Sequence, residues 1–281
     1  MQNKAYSCRI GEKRIEMHEP IVMGIINITD NSFYQQGNLT YGLDLGQRHL
    51  QEGAHVLDIG VCSTRPGAQL MSEEEEIQKL IPCLLAFRKA FPDCIFSVDT
   101  FRGNVVAEAY KAIGPFIVND VSGGKWDPSI WKQAALHSLP YILTYSQGSP
   151  KTMQTECVQT PILDEMLAYF AQTIREVEKM GIKEIWIDPG FGFGKTLDQN
   201  YEILSNLRIF EVFSRPILIG LSRKSMIYNA LHTTPEQALV GTSIAHHIAL
   251  TQGASIFRVH DVAAMRDTIC ITDLSQKHTH A

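Results

Sequence analysis

The residues best suited to chemistry fall in one recurring place, directly after short apolar runs. Ile26 is followed by Asn27, Leu57 by Asp58, Val98 by Asp99 and Val118 by Asn119-Asp120. Further on, Ile187 is followed by Asp188, Leu221 by Ser222-Arg223-Lys224 and Phe257 by Arg258, with His260-Asp261 just beyond. One Asp in such a place commonly caps a turn. Polar groups after seven of eight runs exceed what capping needs. Two chemistries are on offer. Asp99, Asn119 and Asp188 supply planar acceptors and donors for a flat heterocycle with N–H and amidine edges. Lys224 and Arg258, with Arg65 and a protonated His260, suit an anion, and a guanidinium fork matches phosphate geometry. Together they describe a site for a nitrogen heterocycle attached to a phosphate.

The elements that must position these groups alternate regularly. Apolar runs at Ile21 to Ile26, Val56 to Ile59, Ile95 to Val98, Phe116 to Val118, Tyr141 to Leu143, Glu184 to Ile187, Ile217 to Ile219 and Ile256 to Val259 read as strands buried on both faces. Helical segments separate them, near Tyr41 to Glu52, Ser72 to Ala90, Gly103 to Lys111, Pro128 to Leu136, Pro161 to Met180, Leu197 to Leu207, Pro235 to Gln252 and Ala263 to Thr272. Ser72 and Glu75 have capping-box spacing. Ile162, Met166, Phe170, Ile174 and Val177 form a helical stripe. Eight strand–helix units favour an α/β fold closed as a (β/α)8 barrel, a TIM barrel, in which every strand end opens on one face. A doubly wound open sheet fits the alternation alone. Gly11-Glu12 marks an N-terminal hairpin turn. The expected organisation is an entry segment over 1–20, one barrel domain over 21–273 and a polar tail over 274–281.

Bulk properties narrow the class. The chain has 281 residues, 44% hydrophobic and 20% charged, with net charge -5. That balance carries no electrostatic footprint for nucleic acid. No run of about 20 apolar residues suggests a membrane span, and the polar stretch from Met1 to Lys13 does not read as a signal peptide. Six scattered cysteines without C-x-x-C spacing read as reduced thiols. The expected compartment is the cytoplasm.

Several motifs resemble one family. Asp58-Ile-Gly-Val-Cys-Ser-Thr-Arg-Pro-Gly67, Asn119-Asp-Val-Ser-Gly-Gly124, Asp188-Pro-Gly-Phe-Gly-Phe-Gly-Lys-Thr196, Leu221-Ser-Arg-Lys-Ser225 and Arg258-Val-His-Asp-Val262 are similar to dihydropteroate synthase, as is Met23-Gly-Ile-Ile-Asn-Ile-Thr29. They come in the family's order and span Met23 to Val262. The resemblance implies condensation of 6-hydroxymethyl-7,8-dihydropterin pyrophosphate with para-aminobenzoate. It implies that Asp99, Asn119, Asp188 and Lys224 hold the pterin. Asn27 would help bind Mg2+, and Arg258 and His260 would bind pyrophosphate. Ser63, Thr64 and Arg65 would sit on a loop covering aminobenzoate and the leaving group, and Ser225 would line the aminobenzoate site. The catalytic set would be Lys224, Arg258, His260 and Arg65. A homodimer follows from the resemblance alone.

The chain also departs from the family's pattern. Asp30-Asn31 stands where Pro-Asp is usual, Val61-Cys62 where Gly-Glu is usual, and Thr144-Tyr145-Ser146 replaces Met-His-Met. These departures favour, as an alternative, a pterin-binding paralogue with lost or altered catalysis. A methyltetrahydrofolate-type methyltransferase barrel is a further alternative, though it would not need the Ser222–Ser225 and Arg258–His260 phosphate machinery.

Other motifs have plainer readings. Gly190-Phe-Gly-Phe-Gly194-Lys-Thr lacks P-loop spacing and reads as a tight strand-to-helix turn. Cys62 reads as a packed or loop thiol. His246-His247 reads as core or interface, because adjacent helical positions cannot share one ion on one face. Glu73 to Glu76 suits a helix N-terminus. His278 and His280 fall in the expected tail.

Overall fold

Seen in a computed structural model, the chain is described over residues 6–28, 36–62, 70–148 and 161–277, with residues 36–38 described in backbone only. Two short antiparallel strands, β1 (Tyr6–Ile10) and β2 (Lys13–Met17), form the expected hairpin, turning at Gly11 with φ 60°. Eight parallel strands follow: β3 (Ile21–Asn27), β4 (Val56–Gly60), β5 (Ile95–Asp99), β6 (Ile117–Asp120), β7 (Tyr141–Thr144), β8 (Ile185–Asp188), β9 (Leu218–Ile219) and β10 (Ile256–Val259). Their order is β8-β7-β6-β5-β4-β3-β10-β9, and a parallel bridge between Ile187 and Ile217 brings the two ends together. The sheet is therefore a nearly closed (β/α)8 barrel. The open-sheet alternative is excluded by that bridge.

The helices are α1 (Gln36–Gln51), α2 (Glu73–Ala90), α3 (Gly103–Ile113), α4 (Ser129–Leu136), α5 (Ile162–Lys179), α6 (Leu197–Ser205), α7 (Ser225–Tyr228), α8 (Leu239–Thr251) and α9 (Val262–Lys277). Ser72 and Glu75 make the expected capping box, with bonds of 3.1 and 2.9 Å. A second box, Thr196 with Gln199, opens α6. Some boundaries differ from the sequence reading. The segment expected as one helix from Leu197 to Leu207 ends at Ser205 and continues as a 3-10 turn over Leu207–Phe213. The segment expected from Pro235 splits into a 3-10 turn and α8. The last helix runs to Lys277, into the stretch read as a polar tail, because Met265, Ile269 and Thr272 keep one face buried.

Strand alternation separates two cores. Outward residues such as Val22, Leu57, Phe96, Val118, Leu143, Ile187 and Phe257 pack under the helices. Inward residues Ile21, Met23, Val56, Ile117, Ile142, Trp186, Leu218 and Ile256 fill the lower barrel, and Cys8, Ile10, Ile15 and Met17 of the hairpin join the same cluster from below. Each fully buried apolar side chain contributes about 1.5–3 kcal/mol relative to exposure. The lower barrel is thus plugged, and a ligand must enter from the strand C-terminal end. Among the described residues, no helix is long and apolar enough to cross a membrane.

Candidate active site

Above the apolar plug the inward positions turn polar. Asp58 on β4, Asp99 on β5, Asn119 on β6, Thr144 on β7, Asp188 on β8 and Arg258 on β10 project into the barrel. Arg258 lies between two carboxylates. Its Nε donates to Asp58 Oδ2 and its Nη2 to Asp99 Oδ2 at 2.8 Å. The Asn119 amide donates to both oxygens of Asp58 at 3.2 Å. These contacts span β4, β5, β6 and β10, so they cross the barrel interior.

Burial controls the charges here. Burial pushes the Asp99 carboxyl up, opposed by Arg258 and reinforced by Asp58, Glu76 and Asp120. Burial alone would lower Arg258, but Asp58 and Asp99 outweigh it and hold the guanidinium charged. Asp188 is likewise raised by burial and opposed by Lys224, by the Gly190 N–H at 2.7 Å, by Lys195 and by Arg258. Lys224 donates to the Phe191 carbonyl at 2.5 Å and lies 4.5 Å from the Phe193 ring centroid. Burial brings its ammonium down to about 8, with Asp188 and Asp99 opposing and Arg258 assisting. The floor of the mouth therefore sets carboxylates beside cations.

The rim is set by two turns. Lys224 precedes α7 and Ser225 opens it. Arg223 adopts φ 56° and makes a two-pronged pair with Asp261, at 2.8 and 2.6 Å. The Ser222 hydroxyl accepts from the His260 N–H at 3.2 Å and lies 3.1 Å from His260 Nδ1. The β9 and β10 turns are thereby tied together, with His260 beside Ser222. Asn27 is exposed at the end of β3, in register with Gly60.

The structure thus brings together Asp99, Asn119, Asp188, Lys224 and Arg258, with Ser225, His260 and Asn27 on elements that end at the same mouth. Thr64 and Arg65, like Asp30-Asn31, lie outside the described residues. The sequence marks Asp58 as one more polar residue at a strand end and assigns it no role. A signal was present: a carboxylate inside Val56-Leu-Asp-Ile-Gly60 sits within a strand and cannot cap a helix. Asp120 turns the other way, accepting from Tyr141 and from the N–H groups of Ser122 and Gly124.

Of the departing residues, Val61, Cys62 and Thr144 to Ser146 are described. Tyr145 points outward and donates to Glu165 of α5 at 2.6 Å. Thr144 takes the inward position, in register with Asp188, and is fully buried. Val61 and Cys62 are buried. Burial pushes the Cys62 thiol up to about 11, which suits packing rather than nucleophilic attack. His246 is buried edge-on to Phe257 and belongs to the core, whereas His247 is exposed and reaches Thr272 of α9 at 2.8 Å.

Comparison with known proteins gives the same picture. A family model described as pterin binding enzyme matches residues 23–260. The dihydropteroate synthase of Haemophilus influenzae is 38% identical, over 92% of this chain and 94% of that protein. That of Escherichia coli is 40% identical over 88% of this chain and 89% of its own length. Among solved structures, the Yersinia pestis dihydropteroate synthase in a sulfonamide complex superposes with a TM-score of 0.91 at 36% identity, covering 97% of this chain and 100% of that one. The Xanthomonas albilineans dihydropteroate synthase with 4-aminobenzoic acid gives 0.85 at 34% identity, with 94% and 95% covered. Motif order, barrel geometry and full-length similarity agree: the chain belongs to the pterin binding enzyme family, among the dihydropteroate synthases.

Proposed function

We propose that this protein is a dihydropteroate synthase, condensing 6-hydroxymethyl-7,8-dihydropterin pyrophosphate with para-aminobenzoate to give 7,8-dihydropteroate and pyrophosphate. The observation that carries this reading is the set of buried Asp99, Asn119 and Asp188 with half-buried Lys224 and Arg258 at the barrel mouth. Asp99, Asn119 and Asp188 offer planar partners to the amidine and N–H edges of a pterin. Lys224 adds a cation beside Asp188 that neutralises the site's carboxylates.

In the reaction the C–O bond between the pterin methylene and pyrophosphate breaks, and the electron pair leaves with pyrophosphate. The methylene carbon becomes cation-like, with charge spread into a ring whose neighbours are carboxylates. The amine of para-aminobenzoate forms the new C–N bond and then loses a proton. No strong base is required, because the aryl amine is already nucleophilic. Arg258, with one guanidinium nitrogen not engaged by Asp58 or Asp99, and His260 would meet the leaving anion. Thr64, Arg65 and Ser225 are assigned to the aminobenzoate side by resemblance.

Mg2+ belongs to this proposal as an ion carried with the diphosphate. Among the described residues no group of three or more His, Cys, Asp and Glu could hold a metal. A single exposed amide oxygen, that of Asn27, fits Mg2+ that keeps several waters and binds mainly through substrate phosphates. When bound, the ion would stabilise the departing charge.

A homodimer is proposed on the face formed by α8 and α9. Val240 and Ile244 are exposed four residues apart on α8, at 71% and 58%, and Ile271 and Leu274 are exposed on α9, which packs against it. Cytoplasmic location is proposed from the free state of all the described cysteines.

The deciding experiment follows pyrophosphate release by the purified protein with dihydropterin pyrophosphate and Mg2+, with and without para-aminobenzoate. Aminobenzoate-dependent release with dihydropteroate formed is the expected result. Tight pterin binding without turnover would replace this reading with the non-catalytic paralogue.

A further inference from the structure

The Gly190-Phe-Gly-Phe-Gly194-Lys-Thr segment is not a P-loop, yet its lysine is not idle. Lys195 is 8% exposed, and its Nζ donates to three backbone carbonyls: Gly190 at 2.6 Å, Phe193 at 3.1 Å and Tyr145 at 3.3 Å. Two of these belong to the β8–α6 loop and the third to the residue after β7. The ammonium also lies 4.7 Å from the Tyr145 ring centroid. The loop itself has little freedom of its own. Gly190, Gly192 and Gly194 all have positive φ, and a Cβ at Gly190 would stand 2.0 Å from the Tyr145 carbonyl.

The two faces of this loop carry different lysines. Lys224 reaches the Phe191 carbonyl and the Phe193 ring, while Lys195 holds the Gly190 and Phe193 carbonyls. Asp188 sits at the start of the same loop and accepts from the Gly190 N–H. Packing alone does not explain Lys195. An apolar side chain would fill the space without the desolvation cost of a buried ammonium. Burial pulls the Lys195 amine well below its usual range, with Asp188 opposing, so the group is kept at a cost for the three carbonyls it joins.

We propose that Lys195, seated on the Tyr145 ring, is a positioning residue for pterin binding: it staples the β8–α6 loop to the end of β7, so that the Asp188 carboxylate stays aimed into the barrel and the Phe191 carbonyl stays on Lys224. This gives the Tyr145 departure a role, since its ring is part of the seat for the ammonium. The inference rests on the dihydropteroate synthase reading of the site. Asp188 faces Lys195, Lys224 and Arg258, and Lys195 in turn faces Asp188, Lys224, Lys125 and Glu165.

The test uses the full chain and three variants, Lys195→Met, Lys195→Gln and Tyr145→Leu. Dissociation of 6-hydroxymethyl-7,8-dihydropterin is measured, with KM for each substrate. Lys195→Met should weaken pterin binding roughly 10- to 100-fold, the loss expected for a buried hydrogen-bond donor to several carbonyls, and leave KM for para-aminobenzoate unchanged. Lys195→Gln keeps a donor, so it should regain most of the affinity. It also serves as the folded variant if Lys195→Met is insoluble. Tyr145→Leu should weaken pterin binding in the same direction by a smaller factor. Unchanged pterin affinity in a folded Lys195 variant would overturn the role, as would an equal rise in KM for para-aminobenzoate. Failure of the wild-type chain to bind the dihydropterin would overturn the proposed function, and this role with it.

Discussion

Arg258 donates to Asp99 at 2.8 Å while its Nε holds Asp58, so the guanidinium expected to meet phosphate is also the counter-ion of the pterin-facing carboxylates. One side chain therefore serves both halves of the site. Arg258→Met should lose more than phosphate contact, since it leaves two buried carboxylates facing each other. A buried pair broken on one side costs about 3–5 kcal/mol. We expect a fall in kcat/KM of about 100-fold or more, together with a lower Tm. A variant with wild-type stability and a raised KM for dihydropterin pyrophosphate alone would show that Arg258 touches only the leaving group.

Lys224 carries a sharper pH expectation. Burial lowers its ammonium to about 8, so the proton is lost within an accessible range. The cation is the useful form, since it donates to Phe191 and offsets Asp188. The kcat/KM profile for the pterin substrate should therefore decline on the alkaline side through about pH 8. Lys224→Ala should impair both pterin binding and turnover and abolish that limb. Unchanged kinetics in Lys224→Ala would remove the residue from the site.

His246 sets an acid limit on stability. It is 2% exposed, and burial takes its imidazole down to about 4. In the unfolded chain the same group takes up a proton near pH 6.5. Between those values the unfolded state binds more protons, so stability present above pH 6.5 is lost as pH falls towards 4. The full contribution is of the order of 3 kcal/mol. Between pH 7 and pH 4 the Tm of wild type should fall further than that of His246→Phe. Parallel curves would count against this account.

Gly190 gives a steric prediction. At φ 65° an added Cβ meets the Tyr145 carbonyl at 2.0 Å. Gly190→Ala should displace the loop that carries Asp188 and lose most pterin affinity. Gly181→Ala is the matched control: φ is also positive, at 101°, but the nearest atom is Ala135 Cβ at 3.9 Å. It should cost only backbone strain, about 1 kcal/mol, with binding retained.

The α8–α9 face predicts the oligomer. Val240→Glu with Ile244→Glu puts two carboxylates into an exposed apolar stripe. Sedimentation should show the wild type as a dimer and the double variant shifted to monomer, with the barrel still folded by circular dichroism. A monomeric wild type would dispose of the dimer.

Much of this was legible in the sequence, for identifiable reasons. The runs of Ile, Val and Leu had strand length, the intervening stripes had helical period, and the Ser72–Glu75 spacing named its own cap. The polar residues marked the strand ends, because only there does a parallel barrel leave inward positions open to a ligand. Boundaries were less legible. The split after Ser205 and the extension of α9 to Lys277 depend on which faces the neighbouring elements cover.

The sequence by itself determined the alternating elements, the family and the identity of Asp99, Asn119, Asp188, Lys224 and Arg258 as candidates, because periodicity and residue chemistry are local. Tertiary structure alone decided how they combine. Arg258 joins Asp58 across 200 positions of chain and Asn119 meets Asp58 across 61. It also turned Asp120 and Tyr145 outward while Asn119 and Thr144 face the barrel, and set Lys195 behind the loop that Lys224 meets from the other side. Closure of the barrel is the physical reason: it brings distant strand ends within hydrogen-bonding range and excludes the water that would otherwise screen their charges.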